Sequence, residues 1–322
     1  MITRLSHTEL AVDDLDAAEQ FYVQVLGFTM AHRTDDALYL RAAEEFDQWS
    51  LKLSVGAPAL RWFGFRVASQ HALDALCDDH RSLGSTVTEI DAGHEPGLGR
   101  GLRITTPDGF RLHLVHDVEE VPLSGADGVP RHPMRDTHAQ HGVPPARIHH
   151  VNLRVRDVDA SLGYWGDRLG FSTSEQVTDT DGSTRLAWIR RSHSTHDLAL
   201  GRASSIGMHH LAYAVTDPAA VLRVCDVLAD GGYADSIEFG PGRHGVTNAM
   251  TVYAFDPSGH RLEFFAGDYV RDRDRPPLTW TADAYAKAGR LWWGPLPPTS
   301  FLEHGSAVEA AEPTTSGLES GR

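Results

Sequence analysis

The chain is expected to fold as an α+β protein of four βαβββ modules, paired into two domains with cupped mixed β-sheets. Three observations carry this. Residues 4–28, RLSHTELAVDDLDAAEQFYVQVLGF, align without a gap to residues 147–171, RIHHVNLRVRDVDASLGYWGDRLGF, at a constant offset of 143 (147 − 4), the mark of a duplicated unit. TTPDGFRLHLV (105–115) likewise matches FDPSGHRLEFF (255–265). Within each half a strand, a helix and several strands then occur twice, with units starting near Leu5, Leu60, Ile148 and Met208.

The four helices are expected over Asp13–Leu26, His71–Leu83, Asp157–Leu169 and Asp217–Ala229. Each begins near an Asp, or near Ser69, whose side-chain oxygen can take a free backbone N–H. Gly27, Gly84, Gly170 and Gly231 stand where a left-handed residue ends a helix. Alternating runs such as SLKLSV, GLRITT, RLAWIRR and NAMTVYAF read as strands. The expected organisation is an N-terminal domain without metal (1–120), a Pro/Gly/His-rich linker (121–146) and a C-terminal metal-binding domain (147–268). An aromatic arm packs back on the body (269–303), and a small polar tail (304–322) is disordered. Arg190-Arg191 reads as a surface pair, and His132, His138 and His141 as solvated linker residues.

The totals limit the function. A charge of −15 argues against nucleic acid, and no apolar run approaches the roughly 20 residues that span a bilayer. MITRLSHTEL lacks the apolar core of a signal peptide, so a cytoplasmic location is expected. Two cysteines, Cys77 and Cys225, exclude a disulfide scaffold.

The chemistry centres on GPGRHGVTNAMTVYAFDPSGHRLEFF, Gly240–Phe265. On its last strand Glu263 is a carboxylate among large apolar groups, which is costly unless it is paired or bound to a metal. Opening strands of the same half bring His150 and His210 to equivalent positions. Two histidines and a carboxylate suit non-haem Fe(II) or Mn(II) and leave one octahedral face open. The first half has His7, Trp62 and His113 at the matching positions, and Trp62 cannot bind a metal. In the doublets His149-His150 and His209-His210, alternation puts only one residue of each on the metal face, and the spacing does not choose which.

The fragments IHHVNL, THDLAL, MHHLAYAV, Gly240–Phe265 and GRLWWG resemble the extradiol ring-cleaving dioxygenases of the vicinal oxygen chelate superfamily, nearest the homoprotocatechuate (3,4-dihydroxyphenylacetate) 2,3-dioxygenase branch. The resemblance implies the vicinal oxygen chelate (glyoxalase-like) fold. It implies extradiol cleavage of a catechol by O2, as in a 3,4-dihydroxyphenylacetate or catechol 2,3-dioxygenase, and a homo-oligomer, a tetramer. It also assigns the second histidine of each doublet, giving His150, His210 and Glu263. It further implies His196 as acid–base group, and His244 and Tyr253 as hydrogen-bonding groups. Asn152 and Trp188 would line the oxygen and ring sides, and Arg290 would reach in from the arm. Members of that branch carry an arginine five residues before the GRHG histidine. Phe239 stands there in this chain, implying an apolar wall where a carboxylate clamp would be and a weaker preference for an acidic ring substituent. Two other readings of the same scaffold are a glyoxalase-type metal isomerase, which draws four ligands from two units, and a non-enzymatic small-molecule binder, which lacks the ligands.

Overall fold

The computed structural model describes residues 1–123, 128–133, 141–270, 272 and 274–309. Parts of the expected linker, with His138, and residues 310–322 of the expected tail lie outside these. The first module is β1 (Ile2–Val12), α1 (Leu15–Glu19), β2 (Thr29–Arg33), β3 (Ala37–Arg41) and β4 (Leu51–Val55). The second is β5 (Ala59–Val67), α2 (Gln70–Ser82), β6 (Val87–Ile90), β7 (Gly101–Thr105) and β8 (Arg111–Val115). The third is β9 (Arg147–Val155), α3 (Val158–Gly163), β10 (Ser172–Thr178), β11 (Thr184–Arg190) and β12 (Leu198–Arg202). The fourth is β13 (Gly207–Ala214), α4 (Pro218–Asp230), β14 (Ile237–Arg243), β15 (Met250–Phe255) and β16 (Arg261–Ala266). After these come β17 (Leu278–Thr281) and β18 (Ala307–Val308). No helix among the described residues is long and apolar enough to cross a membrane.

The helix caps follow the sequence. Asp14, Ser69, Asp157 and Asp217 each accept a first-turn backbone N–H. Gly27, Gly84 and Gly170 have φ of 91°, 73° and 69°. At the fourth helix the left-handed residue is Gly232, with φ 85°, and Gly231 stays helical. The first and third helices do not run to Leu26 and Leu169 as regular α-helices; their second halves, Gln20–Val25 and Tyr164–Arg168, widen to π-helix. That change of pitch lets Phe21, Tyr22 and Val25, or Trp165, be buried in the core.

Each module closes by pairing its last strand in parallel with its first: β1 with β4, β5 with β8, β9 with β12 and β13 with β16. The opening strands of the two modules in a half pair antiparallel, β1 with β5 and β9 with β13. The result is two nine-stranded sheets, ordered β2-β3-β4-β1-β5-β8-β7-β6 with β18 beside β5, and β14-β15-β16-β13-β9-β12-β11-β10-β17. One apolar core runs through both halves. Phe63 stacks on Trp165, and Tyr22 donates to Asp256 across the seam at 2.9 Å.

Two expectations fail and one holds only in part, for tertiary reasons. Arg190 and Arg191 are buried, not a surface pair; Arg191 donates to the carbonyls of Ile2 and Gly170. The arm does return to the body through β17, which pairs with β10, and through buried Tyr285 and Phe301, but Trp292 and Trp293 remain exposed. The tail is ordered as far as Glu309: β18 adds to β5, and Glu309 pairs with Arg61 and Arg111. A two-residue edge strand has no sequence signal of its own, because its stability comes from the edge it meets.

Candidate metal centre

Three adjacent strands, β9, β13 and β16, bring His150, His210 and Glu263 together. His150 Nε2 and His210 Nε2 lie 3.0 Å apart, and Glu263 Oε2 is 3.1 Å from each. All three side chains are buried. Neighbouring corners of an octahedron with bonds of about 2.1 Å are about 3.0 Å apart, so the donor triangle has the size of one octahedral face. Register explains the space above it. Ala212 is the partner of both His150 and Glu263, and its single methyl group leaves room between the two ligands. The other oxygen of Glu263 is occupied: Oε1 accepts from Thr251 Oγ1 at 2.6 Å and Tyr253 Oη at 2.7 Å. A buried carboxylate facing two imidazole nitrogens, with Oε2 directed inward, is a donor set that fits a divalent cation.

Strand alternation does not separate the histidine doublets. His149 and His209 are each the extra residue of a β-bulge: Ala212 and Tyr213 pair with His150 and Ile148, and Met208 and His210 pair with Leu153 and Asn152. A bulge re-aims the inserted side chain, and both rings of each doublet meet. His149 Nδ1 is 2.9 Å from His150 Nδ1, and His209 Nδ1 is 2.7 Å from His210 Nδ1. His149 Nε2 continues to Asp268 Oδ2 at 3.1 Å, and His209 Nε2 to the Phe301 carbonyl at 2.6 Å. A second candidate cluster, His149, His150 and His196, is weakened as a ligand set by these contacts, which engage both nitrogens of His149.

A cavity of about 300 Å³ opens over the triangle. His196 lines it from the loop between β11 and β12, its ring centroid 4.0 Å from that of His150. Thr195 Oγ1 meets its Nδ1 at 2.9 Å, leaving Nε2 for the cavity. Burial, and then the neighbouring His150, push the His196 imidazole well below its ordinary pKa, so it stands neutral. Burial likewise takes His150 down to about 3. Asn152, Trp188 and Arg290 also line the cavity. His244 Nε2 is 2.9 Å from Tyr253 Oη, and its Nδ1 meets the Arg290 carbonyl, so one chain of contacts joins Arg290, His244, Tyr253 and Glu263.

Phe239 is the exception. It is buried behind Tyr253, stacked at 5.6 Å with an interplanar angle of 14°, and packs on Phe301. It is not among the residues lining the cavity. The apolar wall on that side is Phe301 and Leu302 from the arm, so the expected effect of Phe239 on substrate choice loses its geometric basis. Sequence reasoning also missed Glu175, a buried carboxylate that accepts from Thr247 N, Tyr269 Oη and Trp280 Nε1 and so ties the loop after His244 to the arm.

The N-terminal half keeps the register without the site. His7 and His113 both pair with Gly64, as His150 and Glu263 do with Ala212. The His7 ring lies over Gly64, where an added Cβ would be 2.4 Å from Nε2, and Nε2 meets His113 Nδ1 at 3.0 Å. Trp62 packs edge-on against both rings. Burial holds His7 neutral, with its pKa lowered to about 3. This has a consequence for stability. Below about 6.5 the unfolded chain protonates this histidine and the native state does not, so stability falls with pH until about pH 3. Urea unfolding at pH 7 and pH 5 is expected to differ by about 2 kcal/mol less in His7→Gln than in the parent; equal differences would contradict a neutral His7.

Residues 4–114 and 147–264 match the model of the Glyoxalase/Bleomycin resistance protein/Dioxygenase superfamily. The chain belongs to this superfamily. It is 31% identical over 290 residues to a metapyrocatechase of Pseudomonas sp. (strain CF600), covering 89% of this chain and 93% of the relative. It is 28% identical to a manganese-dependent 2,3-dihydroxybiphenyl 1,2-dioxygenase of Geobacillus genomosp. 3, covering 91% and 94%. Among solved structures, homoprotocatechuate 2,3-dioxygenase of Arthrobacter globiformis superposes with a TM-score of 0.88 at 33% identity, covering 96% of this chain and 92% of that one. The enzyme of Brevibacterium fuscum, in complex with 3,4-dihydroxyphenylacetate, gives 0.88 at 31%, covering 95% and 93%. As in its superfamily relatives, the fold is two domains with mixed sheets.

Proposed function

We propose that the protein is an extradiol dioxygenase, which opens a catechol ring beside the diol with both atoms of O2. The observation that carries this is the buried His150–His210–Glu263 triangle of 3.0–3.1 Å sides, facing a cavity that holds a neutral histidine. The dioxygenase relatives support the same reaction. Iron(II) is the metal that suits the triad, and manganese(II) is accepted by the same donors. His150, His210 and Glu263 would hold it, and it would supply a Lewis acid for the chelating diol and an electron path between the two substrates.

The chain's own residues would do the rest. Tyr253 and His244 form a hydrogen-bonded pair beside Glu263, which gives a proton from the ionising diol somewhere to go. His196, neutral and with Nε2 free for the cavity, takes a proton from substrate and returns it as the ring opens. Asn152 and Trp188 hold the oxygen and ring sides, and Arg290 borders the ring substituent. Phe301 and Leu302, together with Tyr285, exclude water from the arm side. The carbon–carbon bond beside the diol breaks and both atoms of O2 are added with nothing lost, so catechol gives a hydroxymuconic semialdehyde. Three ligands from one half, with none from the other, favour this over a four-ligand isomerase. A cytoplasmic homotetramer is the assembly proposed. Oxygen uptake on adding catechol to iron-loaded protein, absent in chelator-stripped protein, tests the reading; no uptake with any substituted catechol contradicts it.

A further inference from the structure

We propose that His149 and His209 are paired positioning residues, which fix the tautomer of His150 and His210 so that both ligand Nε2 atoms present lone pairs to the metal. The inference rests on the metal reading above and adds the residues that prepare it.

Proton positions can be counted inward from the two ends. The Phe301 carbonyl can only accept, so the His209 Nε2 that faces it at 2.6 Å carries the proton. A neutral imidazole has one donor and one acceptor nitrogen, so His209 Nδ1 accepts. Its partner at 2.7 Å, His210 Nδ1, therefore donates, which leaves His210 Nε2 bare. The second chain runs the same way. The Asp268 carboxylate accepts from His149 Nε2 at 3.1 Å, His149 Nδ1 accepts from His150 Nδ1 at 2.9 Å, and His150 Nε2 is left bare. Two lone pairs and Glu263 Oε2 then face one another across 3.0–3.1 Å with no proton among them. Three acceptors at that separation repel unless a cation lies between them.

The duplication supplies a control. The N-terminal half keeps both bulges, with Ser6 and Arg61 as the extra residues where the C-terminal half has His149 and His209. Val118 stands at the position matching Asp268 by the offset of the closing repeats, 150 (255 − 105). The bulge is thus a property of the fold, and its histidine occurs only where the ligands do. The two relays also differ: one ends on a carboxylate and the other on a main-chain carbonyl of the arm.

Asp268→Asn tests this without changing shape. Asp268 Oδ1 accepts two backbone donors, Thr195 N at 3.0 Å and Tyr269 N at 2.8 Å. The amide oxygen of an asparagine must stay there, so its NH2 faces His149 Nε2 and reverses the relay. Chelator-competition titration with Mn(II) is expected to show about 10–100-fold weaker binding, with an unchanged melting temperature of the metal-free protein and a shifted absorption spectrum of the Co(II) form. His209→Phe is expected to weaken binding by a similar factor and His209→Asn, which keeps an acceptor near Nδ1, to recover part of it. Parent-like Mn(II) affinity and Co(II) spectrum in Asp268→Asn and His209→Phe would overturn the inference. If His209→Phe does not fold, Asp268→Asn decides alone. A parent protein that binds no divalent metal would instead overturn the metal reading.

Discussion

Replacing His210 by alanine is expected to strip the protein of stoichiometric metal and lower turnover of a catechol to background. The same holds for His150→Ala and Glu263→Ala. Each supplies one corner of a triangle with sides of 3.0–3.1 Å, and two remaining donors cannot define an octahedral face. In the Glu263 variant the cavity also loses its only ligand charge. His7→Ala and His113→Ala are the controls. Their rings meet each other and Trp62, with the His7 ring over Gly64, so those variants should lose stability and keep metal. Elemental analysis after gel filtration reads the result. One equivalent of metal surviving in His210→Ala would remove the triad from the account.

His196→Phe is expected to retain metal and bind catechol while kcat falls by about 10²–10⁴-fold, the usual contribution of a positioned acid–base group. The ring packs against His150 and is held by Thr195 Oγ1, but it supplies no corner of the His150–His210–Glu263 triangle. Phenylalanine keeps the aromatic volume and removes both nitrogens. The split between KM and kcat is the informative readout: a loss in kcat with little change in KM points to proton transfer, because ground-state binding is preserved. An unchanged kcat at neutral pH would take His196 out of the mechanism. The imidazole stands neutral in the folded protein because burial, followed by its His150 neighbour, disfavours the charged form. It therefore begins the cycle as a base.

The repeat made much of this legible. Four cap residues and three left-handed glycines stood where local chemistry required them, and the opening and closing strands of each module could be matched by offset. That matching brings both histidine doublets and Glu263 to one site, and the family resemblance, not the spacing, implies His150 and His210 as the ligands. What the sequence hid was set by register and burial. The bulges at His149 and His209 break the period of two, so alternation wrongly separated residues whose rings touch. The doublets themselves were a readable signal, since they recur in both modules of one half and in neither module of the other. Phe239 was placed by homology of position, and the depth of that strand, with Tyr253 and Phe301 in front of it, has no sequence signature. Asp268 and Glu175 are single acids whose partners lie far along the chain, and no local pattern marks them.

The most direct measurement of the central claim is the mass of the product formed from catechol under 18O2 by the iron-loaded protein. The expected product is a yellow hydroxymuconic semialdehyde carrying both labelled atoms, one in the carboxylate and one, before exchange with water, in the aldehyde at the other end of the opened chain. A dicarboxylic muconate, cut between the two hydroxyl carbons, or a product without label would contradict it.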